Sequence, residues 1–228
     1  MSDRTFKASL LNALLVLVLC LFAVPFAIYA VGRGFDVGEM QEQLSSRLFH
    51  SGAGLSNAAI YGHMVAGGII TALAPLQLLR VVRRRAPVLH RISGYLVAGL
   101  SVLTGAGGLY YIAMQGTIGG PVMDLGFGLY GALMLFGAFK TVQLARIRHP
   151  DHRLWAERLV ILALASWLYR VHYGLWEITT GGIGSRPDFS GPFDLVQVFA
   201  FYLPYLALHA WVWHRRARRY PDPVTLQP

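Results

Sequence analysis

The chain has 228 residues, of which 55% are hydrophobic and only 14% charged, with a formal net charge of +9. That charged share lies well below the roughly 25% of a soluble domain, and the basic residues sit in short clusters between apolar runs, which points to membrane topology and excludes a nucleic-acid groove. The single cysteine, Cys20, falls inside the first apolar run, so the sequence offers neither a disulfide framework nor a Cys-x-x-Cys metal motif.

In chain order, the first apolar run, Ala8 to Gly32, is too long for a signal-peptide core of about 7–15 residues, and no clean small-x-small cleavage site follows it. It reads as a retained span, bent at Pro25. Residues 33–56 form the longest outer loop, where Val37, Met40, Leu44 and Leu48 at helical spacing predict a short amphipathic helix on the outer surface. Five further spans follow at about 57–79, 92–114, 122–145, 154–178 and 193–213, and residues 214–228 make a basic tail. Each span is close to the ~20 residues that cross ~30 Å of hydrocarbon. All are helical, because an open strand would leave backbone groups unpaired in lipid. The Gly- and Pro-rich links near Gln115–Pro121 and Gly181–Pro192 read as turns. The expected fold is thus all-α: one integral membrane domain, a six-transmembrane helical bundle.

Basic residues give its direction. Arg4, Lys7, Arg80, Arg83, Arg84, Arg85, Arg91, Lys140, Arg146, Arg148, Arg153, Arg158, Arg215, Arg216, Arg218 and Arg219 cluster at one set of span ends, against Arg33, Arg47 and Arg186 at the other. By the positive-inside rule both termini of this multi-pass chain are cytoplasmic, in a cell (inner/plasma) membrane, with anionic lipid against the basic ends. The turns "QLLRVVRRRAPVLHRISGYLV" and "QLARIRHPDHRLWAERLV" share an order of Gln-Leu, Arg cluster, Pro, His-Arg and new helix. They suggest a parallel two-hairpin repeat over spans two to five, against the rival reading of convergence on a basic turn.

Ionisable groups inside a bilayer are functional candidates. By depth the histidines divide into an outer pair, His63 and His172, and an inner set, His90, His152 and His209. Facing imidazoles at matched depth are what haem b needs, and His90 and His152 are the candidate iron ligands. On the fifth span, His152, Trp155, Leu159, Leu162, Ser166, Arg170, Tyr173 and Glu177 form one stripe. Placing Arg170 inward turns His172 toward lipid or the added first and sixth spans, and leaves His63 facing Arg170 or Glu177. Arg170 is then expected to reach Glu177, Asp124 or a carbonyl, or to hold an anionic ligand such as a haem propionate or a quinone carbonyl. Against this stand the plainer roles: interface anchoring for His90 and His152 with their neighbouring arginines, a satisfied helix hydrogen bond for His63, and a structural ion pair for Arg170. Tyr110, Tyr111, Trp176, Trp211 and Trp213 read as an aromatic belt.

His63 in "YGHMVAGGI", the "LQLL" that follows, "LHRISGY" with His90, Arg91 and Gly94, and "HRLWAERLVILALASWLYR" with His152, Arg153 and Trp155 carry a resemblance. Over about residues 60–172 the chain resembles a family of bacterial multi-spanning membrane proteins classed as a domain of unknown function. The resemblance implies membership and a layout similar to b-type membrane cytochromes, and no activity. Two functions account for the residues. The first is a haem-b-binding or quinone-linked redox protein with a quinone or redox partner, using His63, His90, His152, Arg170 and His209. The second is a permease or assembly factor in which the same groups form ion pairs and proton relays.

Overall fold

The computed structural model describes residues 3–36 and 47–219. Every regular element among them is helical: α1 (Asp3–Asp36), α2 (Gly54–Leu73) with a 3-10 extension (Ala74–Leu78), a short α3 (Arg80–Arg85), α4 (Pro87–Gln115), α5 (Pro121–Arg146), α6 (His152–Thr180), α7 (Pro192–Ala200) and α8 (Leu203–Arg219). Six segments are long and apolar enough to cross a membrane, the last being α7 and α8 together, and six crossings put Asp3 and Arg219 on one side. Of the amphipathic outer helix expected from the sequence, Val37, Met40 and Leu44 lie outside the described residues, and Leu48 sits in a turn.

Proline and glycine punctuate the bundle. Pro87, Pro121 and Pro192 each begin a helix, where a missing N–H leaves nothing unpaired. Gly116 and Gly120, at φ 71° and 75°, make the tight outer turn between α4 and α5. α1 runs through Pro25 without interruption. The sixth span, expected as a single helix, is instead broken at Phe201 and Tyr202. Pro204 explains this: it has no N–H for the Ala200 carbonyl, so the helix stops and restarts.

α2, α4, α5 and α6 follow one another around a ring, with α1 laid along α2 and α7 against α5. The core is small-residue packing: Ala66, Ala98, Ala138, Ala163 and Ala165 are buried beside Met123, Met134, Leu159 and Leu162. The outer face of the bundle is apolar, with Leu14, Leu15, Phe22, Ile28 and Phe139 all exposed, as lipid requires. Helices in lipid bind through close approach. A Cβ on Gly68 would lie 2.8 Å from the Ala27 carbonyl oxygen of α1, and one on Gly107 would lie 2.7 Å from the Ala59 carbonyl oxygen. At Gly105 a Cβ would meet the Gly131 carbonyl oxygen at 3.2 Å.

Because the obstacle at Gly68 is backbone, Gly68→Ala has to push α1 off α2. Thermal unfolding in detergent should show a loss of about 1–3 kcal/mol. Gly62→Ala, on the same helix but with open space around it, should be neutral or slightly stabilising.

Candidate functional site

A cavity of about 620 Å³ lies in the outer half of the ring. α2 contributes Ile60, His63 and Met64; α4 contributes Thr104, Gly108, Tyr111 and Gln115; α5 contributes Phe127, Tyr130 and Met134; α6 contributes Ser166, Tyr169 and Arg170; Phe201 comes from the broken sixth span. Arg47, Leu48, His50 and Thr117 stand at its outer end. No carboxylate lines it among the described residues. It is a largely apolar chamber whose charged groups are cationic.

His63 is the best-defined polar group. Its Nδ1 is 2.7 Å from the Thr104 carbonyl oxygen. A carbonyl only accepts, so Nδ1 carries the hydrogen and the neutral ring presents a lone pair at Nε2. Nε2 has no partner among the described residues. Gly108 makes the room: a Cβ there would stand 2.8 Å from Nδ1.

Arg170 lies deep in the protein, yet much of its side-chain surface stays open. It donates to the Ser166 carbonyl at 2.9 Å and to Ser166 Oγ at 3.1 Å, and its guanidinium lies 4.6 Å from the centre of the Phe26 ring. The expected partners Glu177 and Asp124 do not reach it. Side chains on a helix lean toward its N-terminus, which on α6 is the inner end, so Arg170 folds toward Ser166 and away from Glu177. Asp124 instead accepts the Thr117 N–H at 2.6 Å. Arg170 therefore remains a cation with no carboxylate partner among the described residues.

The inner histidines differ in their partners. His152 Nδ1 meets the Thr141 carbonyl at 3.0 Å, and His209 Nε2 pairs with Glu157 Oε2 at 3.0 Å. His90 has a buried Nδ1 without a partner and lies within Coulomb range of His152 and Arg83. Among the described residues no group of three or more His, Cys, Asp or Glu side chains is placed to hold a metal ion. His172 faces the sixth span, between Tyr205 Oη at 2.7 Å and Gln197 Nε2 at 2.8 Å.

The cavity wall also holds groups the sequence reading passed over. Tyr111, expected in the aromatic belt, is 5% exposed; it donates to the Leu48 carbonyl at 2.9 Å and meets His50 Nε2 at 3.1 Å, pinning the outer loop. Tyr130 donates to the Leu162 carbonyl at 2.6 Å. Tyr169 donates to Tyr173 (3.2 Å), and Tyr173 to Asp194 Oδ1 (2.7 Å). Asp194 is wholly covered, though near the outer surface. It also accepts from Ser185 Oγ and from the backbone of Arg186 and Gly191, so it ties the outer loop to the start of α7. In that loop the hydroxyl and backbone N–H of Ser190 hold the Asp188 carboxyl below its ordinary range.

These features define a multi-pass membrane protein with a cationic, outward-placed cavity inside a helical ring. The chain belongs to the DUF2306 family of predicted membrane proteins, whose model matches residues 60–213. That stretch contains most of α2, the other three ring helices whole, and every candidate histidine named above from His63 onward. No curated protein matches the chain, and no solved structure does.

Asp194→Asn keeps the shape but weakens four accepted hydrogen bonds to a charged group. Thermal unfolding should fall by about 2–3 kcal/mol, and Tyr173→Phe by about 1 kcal/mol. Proteolysis within residues 181–191 should quicken in the first variant more than in the second.

Proposed function

We propose that this protein is a quinone-linked redox protein of a bacterial inner membrane, and that the outer cavity binds the quinol head group. The observation that carries the reading is the pairing of Arg170, a cation without a carboxylate partner, with the free Nε2 of His63 in one apolar chamber. Its volume lies within the ~300–1,000 Å³ of small-molecule sites. A hydroquinone carries an O–H at each end of a flat apolar ring. His63 Nε2 accepts one of these hydrogens, and on taking the proton the imidazolium keeps its Nδ1–H on the Thr104 carbonyl. Arg170 donates to the oxygen at the other end and favours its deprotonated form. Tyr130, Tyr169 and Phe127 supply flat walls for the ring. The two electrons pass to a redox partner that acts as the oxidant, the second proton leaves from the oxygen held by Arg170 to water at the outer end of the cavity, and the oxidised quinone remains.

The same lone pair supports a second reading. A histidine whose Nδ1 is fixed by a carbonyl has the orientation of a metal ligand, so His63 could serve as an axial ligand of haem b with Arg170 on a propionate. His90 and His152, at the inner level, are the further candidates.

Duroquinol, a quinol without a tail, tests the first reading under anaerobic conditions. Wild-type protein in detergent should bind it. Arg170→Gln should weaken binding at least tenfold, about 1.4 kcal/mol. His63→Phe should weaken the quinol more than the oxidised quinone, because only the quinol offers a proton to Nε2. Failure of wild-type protein to bind either form would sink the quinone reading. An optical spectrum of protein purified from haem-replete cells, oxidised and then dithionite-reduced, decides the second: a sharp reduced α-band lost in His63→Phe supports it, and a colourless protein removes it.

A further inference from the structure

The ring of four helices is closed unevenly. α2 packs along α4, α4 along α5 and α5 along α6, but α6 and α2 meet only sparsely. The inner part of that fourth seam is sealed, for Thr71 Oγ1 donates to the Ala163 carbonyl at 3.2 Å and both residues are buried. About two helical turns farther out on each helix stand His63 and Arg170, where no hydrogen bond joins the two helices among the described residues. Two-fold related hairpins would make the α4–α5 and α6–α2 seams alike. Instead α4 and α5 touch through Gly105 and Gly131, while the outer α6–α2 seam has the Arg170 guanidinium beside it under Phe26, and the His63 ring lies on the α4 side of α2, against Thr104 and Gly108.

α1 lies across the outside of this gap. It is fixed to α2 at two glycines, where a Cβ on Gly68 or on Gly34 would strike the carbonyl oxygen of Ala27 (2.8 Å) or of Tyr61 (3.1 Å). Toward α6 it has almost no contact. Its Phe26 covers Arg170 by a cation–π contact, and Tyr29, one turn farther out, is 58% exposed. Arg170 thus has the cavity on one side and the first span on the other.

We infer that the outer half of the α2–α6 seam, beneath Phe26, is a lateral portal through which the cavity takes its ligand directly from the bilayer. The ligand is therefore a membrane-dissolved amphiphile, with an oxygen-bearing ring at Arg170 and His63 and an apolar tail left in the seam against α1. The identity of the head group rests on the quinol reading; the route rests on the uneven ring and the position of Phe26. A single aromatic ring held by one cation–π contact is a light door.

The test compares two probes on protein in lipid nanodiscs: duroquinol, and a benzoquinol carrying a ten-carbon tail. Association is followed by stopped-flow protein fluorescence for wild type and Phe26→Trp, which keeps the cation–π contact but fills more of the gap. The tailed probe should bind wild type more tightly than duroquinol. Its association should slow about tenfold in Phe26→Trp, with duroquinol changed less than twofold. If duroquinol binds but the tail adds no affinity, or if both probes respond alike to Phe26→Trp, the portal is wrong and the cavity fills from the outer aqueous side. If neither probe binds wild type, the quinol reading falls and takes this ligand with it.

Discussion

Close backbone approach is what this bundle depends on. In lipid, helices gain little by hiding apolar side chains from one another, so association rests on dispersion at short range and on the few hydrogen bonds that cross between helices. Gly68 on Ala27, Gly107 on Ala59 and Gly105 on Gly131 bring α1 to α2, α2 to α4 and α4 to α5. Side-chain-to-carbonyl bonds from Thr71 and Tyr130 to α6 add the crossings that glycine does not supply. Where these devices occur the wall is tight. Where they are missing, between the outer halves of α2 and α6, the Arg170 guanidinium lies under Phe26 of α1. The position of the cavity follows from that distribution.

The chemistry of the cavity follows from an imbalance of charge. An arginine inside a membrane protein is normally neutralised by a carboxylate or by many carbonyls. Arg170 has Ser166 and the face of Phe26, which together satisfy only part of its five-donor fork. The remaining donors are a built-in demand for an oxygen acceptor. His63 adds an acceptor of its own, because Thr104 has taken its only hydrogen. A site offering donors at one end and a base at the other suits a ligand with oxygen at both ends, one of them protonated.

Much of the architecture was legible in the sequence because it is written in composition and in basic clusters. Six apolar runs and their basic ends gave the spans, and the stripe from His152 to Glu177 correctly turned Arg170 inward. The same stripe turned His172 outward, and it meets the sixth span there. Other parts were harder to read. The carbonyl partner expected for Arg170 is there, at Ser166, but the carboxylates Glu177 and Asp124 were misplaced, because spacing along a helix gives the face but not the lean of the side chain. The break at Phe201 had a signal in Pro204 that hydropathy averages away. Tyr111 looked like a belt residue because depth was read from span ends, whereas the outer loop folds over it. The partners of the inner histidines depend on which helices are neighbours, and no periodicity within one helix encodes that.

The broken sixth span has a consequence for how the protein is made. α7 and α8 have 9 and 17 residues, or roughly 14 and 26 Å at about 1.5 Å per residue, so neither piece alone crosses ~30 Å of hydrocarbon. Together they carry Asp194, Gln197, Tyr205 and His209, each of which finds its partner on α6: Tyr173, His172 and Glu157. Left by itself in lipid, this segment would face the full penalty of those polar groups. Pairing with the fifth span removes much of that penalty, which favours entry of the last two spans as one hairpin over entry one after another.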